Sequence, residues 1–121
     1  MSERGQRGRR AETLAAWWLR LQGWRVVARG FVVGRGTGAG EIDLIVRRGG
    51  VLAFVEVKAR PTLDLAAQAI TPRQQDRIRR AAQAFLGRRP EFSTCTLRFD
   101  AVLIAPGCLP RHISDAWRME A

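Results

Sequence analysis

Three charged residues stand in two segments whose other residues are typical of the core of a β-sheet. In the stretch EIDLIVRRGGVLAFVEVKAR, residues 41–60, Asp43 lies in the first apolar segment, and Glu56 and Lys58 lie in the second. Carboxylates are oxygen ligands that suit Mg²⁺ and Mn²⁺, and a nearby ammonium group can stabilise charge on a phosphate. These residue types together predict metal-assisted attack of water on a phosphodiester.

The Gly-Gly pair in this stretch predicts a two-residue hairpin turn, which determines which residues face each other. In that register Asp43 lies opposite Glu56, and Glu41 lies opposite Lys58. Facing side chains of an antiparallel pair have Cβ atoms about 4.5–5.5 Å apart, so two facing carboxylates repel each other. A cation between Asp43 and Glu56 gives a physical reason for their arrangement. Glu41 is expected to pair with Lys58 or to support the site from its edge, and we do not count it as a ligand.

The predicted site is therefore Mg²⁺ (or Mn²⁺) held by Asp43 and Glu56, with Lys58 as a catalytic residue. Lys58 follows Glu56 by two residues, so both side chains lie on one face of the strand, about 6.5–7 Å apart along it. The ammonium group of Lys58 can orient the attacking water or help to deprotonate it. Lys58 is also the single lysine of a chain that has 20 arginines, and the two residue types differ where a compact ammonium is needed.

The alternative interpretation of the hairpin is a surface element with one polar face. Alternation of apolar and polar residues is typical of any half-exposed strand. However, Ile45, Leu52 and Phe54 share the face of the acidic residues. The acidic residues are therefore expected at the end of a buried face, which favours a site.

The other segments predict the elements that position this hairpin. Hydrophobic periodicity indicates helices, and runs of β-branched and aromatic residues indicate strands. The glycine-rich segment GRGTGAG precedes a strand rather than a helix, so it predicts a flexible loop and not a dinucleotide site. In chain order we predict a helix over residues 9–22, a strand over 24–33, a loop over 34–40, the hairpin over 41–60, a loop with one helical turn over 62–70, a helix from Thr71, a strand over 94–104 and a short helix or tail over 113–121.

This order predicts an α/β fold with a mixed β-sheet flanked by helices, in the order α-β-β-β-α-β. A chain of 121 residues suits one compact domain. We expect a flexible basic arm over residues 1–8 and a single domain over residues 9–121.

The helix that follows Thr71 has a clear start and a basic face. Thr71 is a suitable N-cap, Pro72 occupies the first helical position, and Gln74 completes a capping box. Because the capping box explains Gln74, we leave it out of the site. The face opposite the apolar residues of this helix carries a stripe of arginines, which we predict to bind nucleic acid: Arg73, Arg77 and Arg80.

The charge of the chain favours a polyanionic partner. The formal net charge is +10 and the sequence pI is about 11.6, which is typical of proteins that bind nucleic acid. No apolar run approaches the ~20 residues of a membrane span, and the polar N-terminus does not resemble a signal peptide, so we expect a cytoplasmic protein. Cys95 and Cys108 are too far apart for a CxxC motif, which argues against zinc, and both are expected to be reduced and buried.

Longer segments of the chain resemble a known family. GEIDLIV, FVEVKAR, AITPRQQDRIRRAAQAFL, LRFDAVLI and ISDAW together are similar to the YraN family of small bacterial endonuclease-like proteins, over Gly8 to Trp117. The shorter pattern of Asp43 followed by Glu56-x-Lys58 resembles the PD-(D/E)XK nuclease superfamily, although Ile42 stands where that superfamily has proline.

The resemblance implies a restriction-endonuclease-like fold in which Asp43 and Glu56 hold the metal ion and Lys58 is catalytic. It also implies that Glu12 of the first helix joins the site. Any acidic residue is favoured in the first turn of a helix by the helix dipole, so that simpler role for Glu12 stays open. The implied activity is hydrolysis of DNA, including branched or damaged DNA, and the resolvase-like relatives imply a homodimer.

Two other functions remain open from the sequence. The protein could bind nucleic acid with weak or no cleavage, or it could be a non-enzymatic interaction protein with a basic surface. Outside the hairpin, Asp100 is expected to pair with Arg98 on its own strand. The four tryptophans are expected mainly in the core, although they could stack on bases.

Overall fold

The computed structural model describes residues 3–34 and 38–118, and for residues 3–7 it describes the backbone only. Helix α1 precedes three strands, two helices and a 3₁₀ turn follow them, and two further strands end the described chain. The bounds are α1 Glu3–Leu21, β1 Arg25–Phe31, β2 Ile42–Arg48, β3 Val51–Ala59, α2 Leu63–Gln68, α3 Pro72–Arg88, the 3₁₀ turn Pro90–Phe92, β4 Thr96–Ile104 and β5 Arg111–Trp117.

The five strands form one mixed sheet in the order β1-β2-β3-β4-β5. Strands β1, β2 and β3 pair antiparallel, β3 and β4 pair parallel, and β4 and β5 pair antiparallel. The parallel pair needs a long crossover, which α2, α3 and the 3₁₀ turn supply. The predicted α/β class and element order are confirmed, and the structure adds a fifth strand.

The hairpin has the predicted register. Arg48 pairs with Val51 across a turn in which Gly49 has a φ of 57°, and the pairing continues to Leu44 and Val55. The positive φ is available to glycine at little cost, which suits the two-residue turn.

Helices cover both faces of the sheet. Helix α1 packs against one face mainly through small residues, which are Ala11, Ala15 and Ala16, and also through Leu19. The other face is covered by α2 and by the apolar side of α3, whose buried residues are Ile78, Ala81, Ala82 and Phe85. Asp43, Glu56 and Lys58 lie between these two layers at one end of the sheet.

The buried face and the start of α1 differ from the prediction. Hydrophobic periodicity predicts that Leu14 and Leu21 belong to the apolar face of this helix, but these side chains are 45% and 76% exposed. Alanines form the contact instead because their small side chains let the helix lie close to the sheet. The helix also begins at Glu3, so it includes most of the segment predicted as a basic arm; no proline interrupts this segment, and its glutamate, glutamine and arginine residues favour a helix although Gly5 and Gly8 do not.

The C-terminal segment was predicted wrongly as a short helix or tail. Residues Arg111–Trp117 form β5, which pairs with β4. Trp117 is 8% exposed and stacks on Phe99 at 5.6 Å between ring centroids, and this burial outweighs the local helical pattern. Residues 119–121 of the predicted segment lie outside the described residues, as do residues 35–37 of the glycine-rich loop.

A buried polar network holds β5 against β4. Asp100 is fully buried and accepts two hydrogen bonds of 2.8 Å from the guanidinium of Arg98, as predicted. It also lies 2.8 Å from Nε2 of His112 and accepts a 2.9 Å bond from the backbone N–H of Asp115. These bonds satisfy a carboxylate that would otherwise be costly to bury.

The tryptophans and cysteines are divided between core and surface. Trp24 and Trp117 are buried as expected, whereas Trp17 is 58% exposed. Both cysteines are free thiols, but Cys108 is exposed and Cys95 is only partly buried, so the expectation of two buried cysteines is wrong. Among the described helices, none is long and apolar enough to cross a membrane.

Candidate active site

Asp43 lies where strands β2 and β3 cease to pair. The last paired residues are Leu44 and Val55. Beyond them the backbone N–H of Val57 donates a 2.8 Å hydrogen bond to Oδ2 of Asp43. The carboxylate of Asp43 therefore takes the place of a backbone partner, and this contact fixes its orientation at the open end of the hairpin.

Glu56 and Lys58 project from β3 beside Asp43. The ammonium nitrogen of Lys58 lies 3.3 Å from Oε1 of Glu56, and both side chains are largely buried. A carboxylate and an ammonium two residues apart on one strand thus form an ion pair at the mouth of the site. The sequence predicted their common face, but it did not predict this direct contact.

Gln74 reaches the same ion pair from the first turn of α3. The backbone N–H of Gln74 donates to Oγ1 of Thr71 at 3.2 Å, so the predicted N-cap is confirmed. The side chain of Gln74 points elsewhere: in the amide orientation that satisfies both groups, its oxygen accepts from Nζ of Lys58 at 3.2 Å and its nitrogen donates to the carbonyl of Ala69 at 3.0 Å. The sequence analysis missed this contact because it assigned Gln74 to the cap alone.

Glu12 and Glu41 join Asp43 on its other side. One carboxylate oxygen from each of these three residues lies within 4.8 Å of the others. Glu12 comes from α1 and Glu41 from the residue before β2, so the cluster joins the first helix to the hairpin. Glu41 was predicted either to pair with Lys58 or to support the site from its edge. Its carboxylate lies beside those of Glu12 and Asp43, which agrees with the second role and not with the first.

Burial and mutual repulsion raise the pKa values of these carboxyl groups. Desolvation and the Asp43 carboxylate raise the pKa of Glu56 to about 8, against the effect of Lys58. Desolvation, Asp43 and Glu41 raise the pKa of Glu12 to about 7, against the effect of Arg29. Burial also raises the pKa of Asp43, and burial with Asp43 raises that of Glu41. The cluster thus holds more negative charge than its surroundings stabilise, which is the condition under which a bound cation is favoured.

The arginine face of α3 lies beside the segment that leads into the cluster. Arg73, Arg77 and Arg80 are exposed, and Arg80 pairs with Asp76 at 3.1 Å. The backbone N–H of Gly40 donates to the carbonyl of Arg77 at 3.0 Å, and a Cβ atom on Gly40 would lie only 3.1 Å from that of Arg77. The glycine permits this close approach, which places the basic helix next to Glu41.

The fold and the cluster together define the class of protein. It is an α/β protein with a mixed sheet, and four carboxylates and one lysine lie together where the pairing of β2 with β3 ends. These groups are Glu12, Glu41, Asp43, Glu56 and Lys58. The chain belongs to the uncharacterised protein family UPF0102, whose model matches residues 11–104.

The relatives of the chain match almost its whole length. A UPF0102 protein of Paramagnetospirillum magneticum is 60% identical over 115 residues, which cover 95% of this chain and 89% of that protein. A second, from Parvibaculum lavamentivorans, is 60% identical over 92% of this chain and 80% of its own length. A third, from Rhodopseudomonas palustris, is 53% identical over 91% of this chain and 82% of its own length.

Proposed function

We propose that the protein is a metal-dependent endonuclease that hydrolyses phosphodiester bonds in DNA. The observation that carries the proposal is the meeting of Asp43, Glu56 and Lys58 with Glu12 at one end of the sheet. Carboxylates with raised pKa values beside a lysine can hold a cation and stabilise charge on a phosphate, which suits metal-assisted phosphodiester hydrolysis. The resemblance of the hairpin to the PD-(D/E)XK pattern supports the same reaction.

The donor set suits Mg²⁺ or Mn²⁺. All the candidate ligands are carboxylate oxygens, which hard divalent cations prefer. One oxygen from each of Glu12, Glu41 and Asp43 lies within 4.8 Å of the other two. Asp43 and Glu56 remain the proposed ligands, and Glu12 and Glu41 would complete the site. When bound, the metal ion would supply Lewis-acid stabilisation of the charge that develops on the phosphate.

Lys58 and Gln74 provide the remaining functions of the site. The ammonium group of Lys58 is positioned by Glu56 and Gln74, and it would orient the attacking water and stabilise negative charge in the transition state. Asp43, held by the N–H of Val57, would keep a carboxylate oxygen directed at the bound cation. Preorganised contacts of this kind lower the reorganisation needed during reaction.

DNA is the proposed partner because of the charge of the protein. Arg73, Arg77 and Arg80 of α3 would contact phosphates beside the cluster, and the net charge of +10 would strengthen the encounter. Branched or damaged DNA is the proposed substrate class. A homodimer and a cytoplasmic location also remain proposals, and light scattering of the purified protein tests the first of them.

A second candidate function is nucleic-acid binding without efficient cleavage. The basic face of α3 consists of residues other than the carboxylates, so binding does not depend on catalysis. A third, interaction with a partner other than nucleic acid, requires that DNA is not bound even at low salt.

The test uses purified protein with duplex, single-stranded and branched DNA, in Mg²⁺, Mn²⁺ or EDTA. We expect cleavage that needs the metal and is lost in Asp43→Asn and Lys58→Ala. Glu91→Gln removes a carboxylate whose partner is Arg89, outside the cluster, and should leave cleavage unchanged. Cleavage that survives both site variants would show that the site is wrong, whereas salt-sensitive binding without cleavage of any substrate would favour the second candidate.

A further inference from the structure

A wide cleft opens from the carboxylate cluster along α1. Its volume is about 1230 Å³, and Glu12, Asp43 and Lys58 line one part of it. The rest, which we call the α1 cleft, lies between α1, the end of β3 and the loop after β4. Its lining there is mainly apolar and includes Ala11, Leu14, Val57, Ala59, Ile104 and Pro106.

The chemistry of the α1 cleft does not suit a phosphate group. Alanine, valine, leucine and proline side chains offer no donor to an anion, and a charged backbone placed on them would lose solvation. A nucleobase has the opposite character, because its two faces are apolar and its edge is polar. The α1 cleft therefore matches a base that belongs to a nucleotide beside the reacting phosphate.

Such a base must be unpaired. In a duplex the faces of the bases are stacked and only their edges are accessible in the grooves, whereas an extruded or single-stranded base can enter a pocket. Arg10 and Arg60 also line the cleft, and they are placed to hold the phosphates on either side of such a nucleotide. The cleft is thus continuous with the cluster, apolar inside and flanked by cations.

An exposed apolar stripe continues from the α1 cleft. Leu14, Trp17 and Leu21 follow one another at helical spacing on α1 and are 45%, 58% and 76% exposed. Trp17 lies one turn beyond Leu14, which itself lines the cleft. A large indole on the surface of a basic protein offers a stacking platform for a second base.

We propose that the α1 cleft and Trp17 hold consecutive unpaired bases of a nucleic-acid strand whose backbone lies at the carboxylate cluster. The inference rests on the proposed function and names its substrate class: strands with unpaired nucleotides, as in single-stranded DNA, flaps and the branches of junctions. Nucleic acid is a more suitable occupant of the stripe than a second copy of this chain, because the α1 cleft that the stripe continues is lined by Arg10 and Arg60 and opens on the carboxylate cluster.

The experiment measures binding in EDTA, so it does not depend on cleavage. The probes are a fluorescein-labelled oligothymidylate and the same strand annealed to its complement. We expect the full chain to bind the single strand more tightly than the duplex. Trp17→Ala and Leu14→Ser should weaken single-strand binding by about fivefold or more, and duplex binding by much less.

The matched control is Leu97→Ser. Leu97 is 45% exposed, the same fraction as Leu14, but it lies near the other end of β4, roughly 20 Å along that strand from Ile104 of the cleft. It should leave both affinities unchanged. Circular dichroism of each variant confirms that the fold is kept, as expected for exposed side chains.

A second readout uses the wild-type chain alone. A 2-aminopurine placed in the single strand is quenched by stacking on its neighbours, so its fluorescence should rise at the position that enters the α1 cleft. Three outcomes would overturn the inference and leave the proposed nuclease untouched. They are equal affinity for both probes, equal effects of Leu14→Ser and Leu97→Ser, and no position at which the 2-aminopurine fluorescence rises. If Trp17→Ala instead converts a dimer to a monomer with single-strand binding unchanged, the stripe is a self-association surface and the inference is wrong. Loss of all DNA binding at low salt would contradict the proposed function itself.

Discussion

The carboxylate of Asp43 accepts a 2.8 Å hydrogen bond from the backbone N–H of Val57, at the point where the pairing of β2 with β3 has ended. The bond joins a side chain of one strand to the backbone of the next and holds Asp43 between Glu12 on one side and Glu56 on the other. Asp43 is consequently the carboxylate on which the proposed metal site depends most.

The first prediction concerns metal affinity. Asp43→Asn should lower the affinity for Mn²⁺, measured by titration calorimetry or by the paramagnetic resonance of free Mn²⁺, by at least about tenfold, because a neutral amide is a weaker ligand than a carboxylate. Asp64→Asn is the matched control, since Asp64 is exposed on α2. Equal affinity in the two variants would exclude Asp43 as a ligand.

The second prediction concerns stability and pH. Because the pKa of Glu56 in the folded protein, about 8, lies above its ordinary value of 4.5, the folded state holds this proton more tightly than the unfolded state. The associated stability is complete below about pH 4.5 and is lost as pH rises through about 8. The free energy of unfolding of the metal-free wild type should therefore fall over this range.

Glu56→Gln removes that dependence, because an amide does not ionise. Its free energy of unfolding at pH 8 and above, measured with urea in EDTA, should exceed that of the wild type by on the order of 1–3 kcal/mol. Glu91→Gln, at an exposed site, should follow the wild type. The slope that remains in Glu56→Gln belongs to the other carboxyl groups of the cluster, whose pKa values are also raised, among them Glu12 with a pKa of about 7. If wild type and Glu56→Gln have the same slope, Glu56 does not ionise in this range.

The third prediction concerns Gln74 as a positioning residue for Lys58. Gln74→Ala removes the amide that accepts from the ammonium group, and misplacement of a reacting group can cost about 100-fold in rate. We expect the proposed cleavage to slow by about 10- to 100-fold with DNA affinity unchanged, and the pH profile of the rate to shift. Gln75→Ala, at the adjacent half-buried position, is the control. Equal rates in both variants would leave Gln74 with only its role at the start of α3.

The fourth prediction concerns the salt dependence of binding. Replacing Arg73, Arg77 and Arg80 together with glutamine should reduce the slope of log affinity against log salt by up to about 3, since each phosphate contact contributes about 0.9. The control variant carries the same change of charge on the strands, with Arg25, Arg47 and Arg111 each replaced by glutamine, and its salt slope should fall far less. Equal losses in the two variants would mean that net charge alone, and not the face of α3, governs binding.

The fifth prediction concerns the buried network around Asp100. Burial alone would raise the pKa of Asp100, but hydrogen bonds from His112, Arg98 and the N–H of Asp115 outweigh it and lower the pKa to about 2. The stability from this lowered pKa is present above about pH 4 and is lost as pH falls toward 2.

Asp100→Asn should lower the free energy of unfolding at pH 7 by roughly 3 kcal/mol, because it leaves Arg98 without its charge partner. The difference from wild type should shrink in acid. Urea unfolding at pH 7 and pH 3 measures both effects, with Asp64→Asn as the exposed control. A loss that is the same at both pH values would mean that the charge of Asp100 is not what stabilises β5.

The hairpin and α3 could be predicted from the sequence because local signals determine them. The Gly-Gly turn sets the register of β2 and β3 through its own geometry, and Thr71 with Pro72 marks the start of α3. Both signals lie within a few residues of the structure they determine. The proximity of Asp43 to Glu56 followed from the register alone.

Other features depend on contacts distant in the chain. Apolar residues lie on more than one side of α1. Which side is buried is therefore decided by how the helix packs against the sheet, and not by the local sequence. Strand β5 forms because Trp117 stacks on Phe99 and because the backbone N–H of Asp115 donates to the carboxylate of Asp100. The position of Glu41 beside Glu12 depends on how α1 meets β2, so no local pattern signals it.

The origin of the clustered side chains has a consequence for the nascent chain. Glu12 comes from α1, Asp43 from β2, Glu56 and Lys58 from β3, and Gln74 from α3. These groups are separated by up to about 60 residues in the chain, so the arrangement exists only when α1, β2, β3 and α3 have packed together. A chain synthesised only as far as β3 lacks Gln74, and local opening of α1 or α3 displaces at least one group, so any hydrolytic activity depends on these elements being packed together.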